Sequence, residues 1–115
     1  MGEGCIFCKI AKREIPAMIV YEDEEIVAFE DIKPAAPVHF IFIPRKHIET
    51  LNDIEVEDAA LLGRLLARIR EVVKEKAISK GGYRVVINCN KDAGQEVFHL
   101  HVHLLGGRSF SWPPG

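Results

Sequence analysis

The sequence predicts an α+β domain built on one largely antiparallel sheet of five strands with two helices. Two helical stretches and five strand-like segments lead there, in the order helix, three strands, helix, two strands. At 115 residues the chain has enough material for one core. Residues 1–115 are therefore read as a single domain, with 106–115 as an extended C-terminal tail.

Cys5 to Arg13 reads as a short helix that ends before Pro16. Val20–Tyr21 and Ile26 to Phe29 flank the acidic stretch Glu22 to Glu25, which suits a β-hairpin with its turn in water. Pro34 and Pro37 then break the chain. His39 to Ile43 is β-branched and aromatic with little polar alternation, the pattern of a central strand buried on both faces, and Pro44 stops it. From about Glu57 to Lys76, the apolar residues Leu62, Leu65, Leu66, Ile69, Val72 and Val73 recur at helical spacing. Arg64, Arg68, Arg70, Glu71, Lys74 and Glu75 form the opposite, solvated face. Gly81-Gly82 closes this helical region. Tyr83 to Asn88 is a strand, Cys89 to Gln95 a polar loop, and Val97 to Leu105 a last strand with strict alternation. Trp112-Pro113-Pro114 cannot join a regular ladder, so the tail must dock on something to be ordered.

Fifteen Lys and Arg against seventeen Asp and Glu leave a formal charge of −2. Bulk electrostatics therefore gives no support to a nucleic-acid partner, although backbone amides can still hold one phosphate. The longest apolar run, Phe40 to Pro44, is too short to span a membrane, and Met1 to Lys12 lacks the apolar stretch of a secretory leader. Cysteines at 5, 8 and 89 are an odd number without framework spacing, which points to a reducing compartment. The expectation is a cytoplasmic protein with no nucleic-acid or membrane partner.

Val97 to Leu105 reads Val-Phe-His-Leu-His-Val-His-Leu-Leu and holds three of the five histidines. On a strand, His99, His101 and His103 would share one face, roughly 7 Å apart, with Phe98, Leu100, Val102 and Leu104 on the other. A row of imidazoles offers two chemistries. Metal binding is one, but three side chains in line do not converge easily on one ion. Covalent catalysis at phosphorus is the other. A neutral histidine with one N–H held by an acceptor presents a lone pair on its second nitrogen, and a pKa of ~6.5 leaves it largely neutral at pH 7. Neighbouring imidazoles and main-chain amides would then stabilise the phosphoryl oxygens.

Gly94 to Arg108 resembles the histidine-triad (HIT) signature, His-φ-His-φ-His-φ-φ with φ apolar. Gly106-Gly107-Arg108 and the ending Trp112-Pro113-Pro114-Gly115 resemble its Hint branch, of purine nucleoside phosphoramidase type. The similarity runs through Ile15-Pro16-Ala17, Phe29-Glu30-Asp31-Ile32, Ala36-Pro37-Val38-His39-Phe40 and Ile43-Pro44-Arg45-Lys46-His47-Ile48. It implies a hydrolase that cleaves the P–N or a related phosphoanhydride bond of purine nucleoside phosphoramidates and other AMP derivatives through a nucleotidyl-histidine. His101 would be the nucleophile, its other ring nitrogen donating to a main-chain carbonyl on the same strand. His103 would contact the phosphate, and His39 would support the cluster from the central strand. Asn88, Gly94 and Gln95 match positions that hold phosphate and leaving group, Phe7, Phe29 and Ile32 would line the base pocket, and Asp31 would take the ribose hydroxyls. Without the resemblance, Phe7, Phe29 and Ile32 also read as core, and Asp31 as a turn cap before Pro34. Glu96 stands where the animal-type pattern has serine. A carboxylate beside a phosphate is unfavourable unless it turns away or helps protonate the leaving amine, so its backbone amide is the expected nucleotide contact.

Cys5-Ile6-Phe7-Cys8 has the Cys-x-x-Cys spacing at which two thiolates chelate one Zn²⁺. The resemblance to microbial-type HIT proteins implies that His47 and His99 complete a closed structural site that the chemistry does not require. The alternative is a pair of buried thiols packed as small hydrophobes. Cys89 is assigned no role. A long apolar stripe on so small a core, together with the tail around Trp112, predicts a homodimer. The resemblance implies that two five-stranded sheets join across its interface and that each tail reaches toward the partner's site. Two other readings share these residues: a dinucleotide polyphosphate hydrolase or nucleotidyl transferase, and a non-catalytic nucleotide- and zinc-binding interaction protein.

Overall fold

In the computed structural model, which describes residues 4–115, helix α1 (Ile6–Ala11) leads into strands β1 (Ile19–Glu22), β2 (Ile26–Glu30) and β3 (Val38–Pro44). Helix α2 (Ala59–Glu75), strand β4 (Tyr83–Val86) and strand β5 (Val102–Gly106) follow. The first three residues of the segment read above as lacking a leader lie outside this range. The strands form one sheet in the order β1-β2-β3-β5-β4, antiparallel at each pairing, so the α+β class follows. No helix among the described residues is long and apolar enough to cross a membrane.

Strand β3 is central because both of its faces are apolar, and a helix covers each. Phe40 and Phe42 pack with Ile26, Ala28, Val102 and Leu104 beneath Leu61, Leu65, Ile69, Val72 and Val73 of α2. Ile41 and Ile43 pack with Val27 and Phe29 beneath Phe7, Ile10 and Ala11 of α1. The period-2 alternation of β3 therefore sets His39 on the α1 side with Ile41 and Ile43.

Several expectations are corrected. The last strand starts at Val102 rather than Val97, and residues 97–99 form a bend followed by two irregular residues. Its partner β3 ends at Pro44, which has no N–H with which to continue a ladder. Leu100 N instead donates to Ile48 O at 2.6 Å, tying the bend to the segment after β3. The buried stripe of α2 is rotated by one residue: Leu61 is buried, Leu62 half-buried and Leu66 52% exposed. Helix α2 also stops before the glycine pair. Ala77 takes the left-handed conformation (φ 59°), and Ile78 N returns to Val73 O at 3.2 Å, a closure that leaves Gly81-Gly82 to the next turn. The strand after it, β4, ends at Val86 rather than Asn88.

The acidic turn is not free in water. Asp23 Oδ1 accepts from the amides of Glu25 and Ile26, both at 2.8 Å, and so shapes the turn itself. From the face of α2 expected to be solvated, Arg68 reaches Asp23 at 3.2 Å and Arg64 grips Glu25 with two bonds of 2.7 Å. Arg45 closes the same corner by donating to Asp23 O at 2.8 Å and Ala11 O at 2.7 Å.

The rotated stripe makes a direct prediction. Leu65 is 1% exposed, so Leu65→Ala should cost about 3 kcal/mol in urea unfolding with an unchanged denaturant slope. A cost below about 1 kcal/mol would place another face of α2 on the sheet.

Candidate active site

The three histidines of the motif do not stand in a row. Only His103 lies on β5, opposite Ile41 and Val86, which puts it on the α1 side of the sheet. His101 sits just before the strand, and His99 belongs to the bend. The bend turns the fully buried His99 toward Cys5 and Cys8, while Phe98, expected on the opposite face, is 47% exposed. The rings of His101 and His103 remain adjacent, with centroids 5.1 Å apart.

Main-chain groups fix which nitrogen of His101 and of His39 carries the proton. His101 Nδ1 lies 2.7 Å from His99 O. A carbonyl can only accept, so Nδ1 holds the hydrogen and Nε2 keeps its lone pair. The acceptor is in the bend two residues back, not on the strand as expected. Burial lowers the His101 pKa, opposed by this bond and by Asp31, which favours the neutral ring. Phe7 stands edge-on to it, with centroids 5.1 Å apart.

For His39 the logic runs in reverse. Ala35 N–H donates to His39 Nδ1 at 3.0 Å, so the ring proton sits on Nε2. That N–H faces His103 Nδ1 at 2.9 Å, with Asp31 Oδ2 3.4 Å away. His103 must then carry its own proton on Nε2. Burial, followed by the neighbouring His101 and His39, pushes His103 down to about 4, and burial lowers His39 despite Asp31. Asp31, His39 and His103 are close enough to suggest a metal site. The Ala35 amide argues against one, because it places a proton on the nitrogen that would have to ligate.

Of the other expected residues, Phe7 and Asp31 reach this cluster directly. Phe7 and Phe29 are buried core residues in edge contact at 5.3 Å, so both roles considered for them are open to the same two rings. Ile32 is 93% exposed and lines, with Met18 and Asp31, a cleft of about 520 Å³. Asp31 Oδ1 accepts from Lys33 N at 2.8 Å, a turn-capping bond. Asn88 is half-buried beyond β4, and Gly94 ends a 3₁₀ turn in the left-handed conformation (φ 82°). Gln95 is buried, and its side chain is committed to the main chain. It accepts from Asn90 N at 2.8 Å and donates to Glu49 O at 2.9 Å and Val97 O at 3.0 Å. Glu96 is exposed and borders a second cleft beside Cys5 and His47 that His101 does not line.

Cys5, Cys8, His47 and His99 converge. Cys5 caps α1 by accepting from Cys8 N at 3.3 Å, which brings both sulfurs to the same end of the helix. His99 Nδ1 lies 3.3 Å from Cys5 Sγ, 3.4 Å from Cys8 Sγ and 3.2 Å from His47 Nδ1, and the latter is 3.3 Å from Cys8 Sγ. Bond lengths of about 2.0–2.3 Å to a tetrahedral ion imply edges of roughly 3.3–3.8 Å; these four separations are close to that, and all four atoms lie within 4.8 Å of one another. His99 Nε2 donates to Pro44 O at 2.7 Å, which leaves Nδ1 as the free ligand atom. Burial holds His99 at about 4, in the neutral form that ligates. Burial and the Cys5 thiol push Cys8 up to about 11, so an ion would have to displace its proton. These four residues can hold a metal ion.

Comparison with known proteins bears on this arrangement. The family model described as "Scavenger mRNA decapping enzyme C-term binding" matches residues 4–111. An uncharacterized HIT-like protein of Synechocystis sp. is 53% identical over 115 residues, covering 100% of both chains. The chain belongs to the HIT family. The purine nucleoside phosphoramidase of Escherichia coli K12 is 46% identical over 108 residues, covering 94% of this chain and 91% of that protein, which supports the Hint-branch assignment. A crystal structure of a HIT family hydrolase from Legionella pneumophila superposes with a TM-score of 0.96 at 52% identity, covering 97% of this chain and 100% of the other. The HIT motif marks the histidines in sequence. It does not mark the Ala35 amide or the Pro44 carbonyl, which are main-chain groups that any residue type could supply.

Proposed function

We propose that this HIT-family hydrolase cleaves the P–N bond of purine nucleoside phosphoramidates, or the related bond of other AMP derivatives, through a nucleotidyl intermediate on His101. The observation that carries the reading is the 2.7 Å bond from His101 Nδ1 to His99 O, which leaves Nε2 unprotonated on an uncharged ring. Nε2 attacks phosphorus as the P–N bond to the leaving group breaks, and the amine departs with a proton taken from solvent, which the hydrolytic water later returns. The ring then carries phosphorus on Nε2 and hydrogen on Nδ1, a cation that the His99 carbonyl stabilises. Water next displaces His101 from phosphorus and yields the nucleoside monophosphate. His103, with its hydrogen on Nε2, would donate to a phosphoryl oxygen, and His39 would hold His103 in that state.

The cleft beside Asp31 and Ile32 suits the ribose and base, and Phe7, edge-on to both Phe29 and His101, would bound the base from the core side. Asn88 and the backbone amide of Glu96 would hold phosphate and leaving group, with the left-handed turn at Gly94, whose own amide donates to Lys91 O at 3.0 Å, shaping the loop between them. Gln95 takes the part of a brace for their loop, since its side chain is already engaged. Zn²⁺ is the ion that two thiolates and two imidazoles suit best. Cys5, Cys8, His47 and His99 would bind it as a structural cross-link between α1 and the bend, with no open position for substrate. Cys5, Cys8 and Cys89, none in a disulfide, fit the cytoplasm.

A homodimer is part of the reading. Tyr83, Val85 and Ile87 are 38–41% exposed on or just beyond the edge strand β4, and Trp112 is 81% exposed on the tail. Sedimentation should give twice the chain mass of 12.9 kDa, and a monomer at micromolar concentration would count against the interface. For the activity, adenosine 5′-phosphoramidate and diadenosine polyphosphates are compared side by side. The phosphoramidate should have the higher kcat/KM by about 100-fold or more. Preference for the dinucleotides would move the activity to another substrate class, and turnover of neither would remove it.

A further inference from the structure

Arg108 lies outside the histidine cluster, yet it is bonded to the loop that sets one tautomer in that cluster. Its guanidinium donates twice to Ala35 O, from Nε at 3.1 Å and from Nη2 at 3.0 Å. Ala35 N–H is the donor that fills His39 Nδ1 at 3.0 Å. The two peptide units on either side of the Ala35 Cα therefore serve as handle and pointer: Arg108 grips one, and the other directs its N–H at His39.

A second, independent contact holds the same loop. Gly107 adopts φ 89°, and a Cβ placed there would come within 2.9 Å of Pro37 Cβ. The main chain at Gly107 thus lies directly against the loop, and only glycine permits the approach without displacement. Arg108 is in turn steadied by the tail. Its guanidinium stacks 4.2 Å from the Phe110 ring centroid, and Arg84 flanks the same ring at 5.2 Å while donating to Ser111 O at 2.9 Å.

We propose that Arg108 is a positioning residue for the histidine site, acting through Ala35 and His39 on the tautomer of His103. With Ala35 N–H held on His39 Nδ1, the His39 hydrogen is confined to Nε2 and His103 Nδ1 must accept it. His103 then turns an N–H, not a lone pair, toward the phosphoryl group. If the loop drifts, His39 is free to exchange its hydrogen between the two nitrogens, and a fraction of His103 rings face the phosphate with a lone pair that repels it. The inference rests on the phosphoramidate reading for its kinetic consequence, but not for its structural one.

The test uses Arg108→Met, which keeps the aliphatic stem and removes the donors, and Arg108→Lys, which restores one. Both are made in the full chain with its metal content matched to the parent. Long-range ¹H–¹⁵N spectra at neutral pH read the His39 and His103 tautomers. The parent should show His39 with its hydrogen on Nε2. Arg108→Met should shift His39 toward a mixture with His103 following, lower kcat about tenfold and leave KM within about twofold, and Arg108→Lys should recover most of the loss. An Arg108→Met protein whose His39 signals match the parent overturns the proposal, whatever its kcat. If Arg108→Met does not fold, Arg108→Lys is read by the same spectra, and parental His39 signals together with reduced kcat overturn it equally. Should the parent turn over no phosphoramidate while Arg108→Met still displaces the His39 hydrogen, the functional reading fails and the coupling stands.

Discussion

His101→Ala is expected to lower phosphoramidate turnover by about a thousandfold or more, because it removes the atom to which phosphorus would be bound in the proposed intermediate. The drop should be in kcat, with substrate binding largely kept, since Asp31 and the cleft beside it are untouched. His103→Asn provides the scale for a supporting residue. It retains a donor near the phosphate and should cost roughly 10- to 100-fold. Steady-state kinetics on the two variants checks both. If His101→Ala kept more than about a tenth of the parental kcat, covalent catalysis at this ring would be excluded and the interaction-protein reading would gain.

Disrupting the proposed metal site is expected to have the second-largest effect. Cys8→Ser, or prolonged chelation, should lower the melting temperature by about 10–20 °C, corresponding to a loss of roughly 3 kcal/mol for a chain of this size. The reason is local. Cys5 caps α1, Cys8 is buried within it, and His99 is fully buried in the bend, so the ion would join two elements with little other polar contact between them. Activity should fall as well, by about tenfold, because the His99 carbonyl is the acceptor that fixes His101. Metal analysis of the purified protein should give one zinc per chain. Finding none, with a melting temperature unmoved by chelation, would leave the cluster as packed thiols and imidazoles.

Period and composition carried the class of the fold. Phe40 and Phe42 against Ile41 and Ile43 declared a two-sided strand, and the structure covers both sides with helices. Alternation failed at the motif because it does not know where a partner strand ends. Pro44, which would stand opposite Leu100, closes β3, so Val97 to His99 have no ladder to join, although their pattern continues without a break. The α2 stripe shows a similar limit. Leu61 with Leu65 and Leu62 with Leu66 both fit helical spacing, and only the position of the sheet decides that Leu61 is buried and Leu66 exposed. At the site, the types and spacing of His39, His101 and His103 were legible. Their proton positions were not, because Ala35 N and His99 O set them and main-chain geometry leaves no trace in residue identity.

The account depends most on a covalent bond between His101 and phosphorus. Its most direct test is the mass of the intact protein after millisecond mixing with adenosine phosphoramidate and a quench that preserves phosphohistidine, followed by peptide mapping. The prediction is an adduct with the mass of a nucleoside monophosphate on His101, absent from His101→Ala and lost as product accumulates. Turnover at full rate with no adduct at any mixing time, or an adduct on another residue, would contradict it.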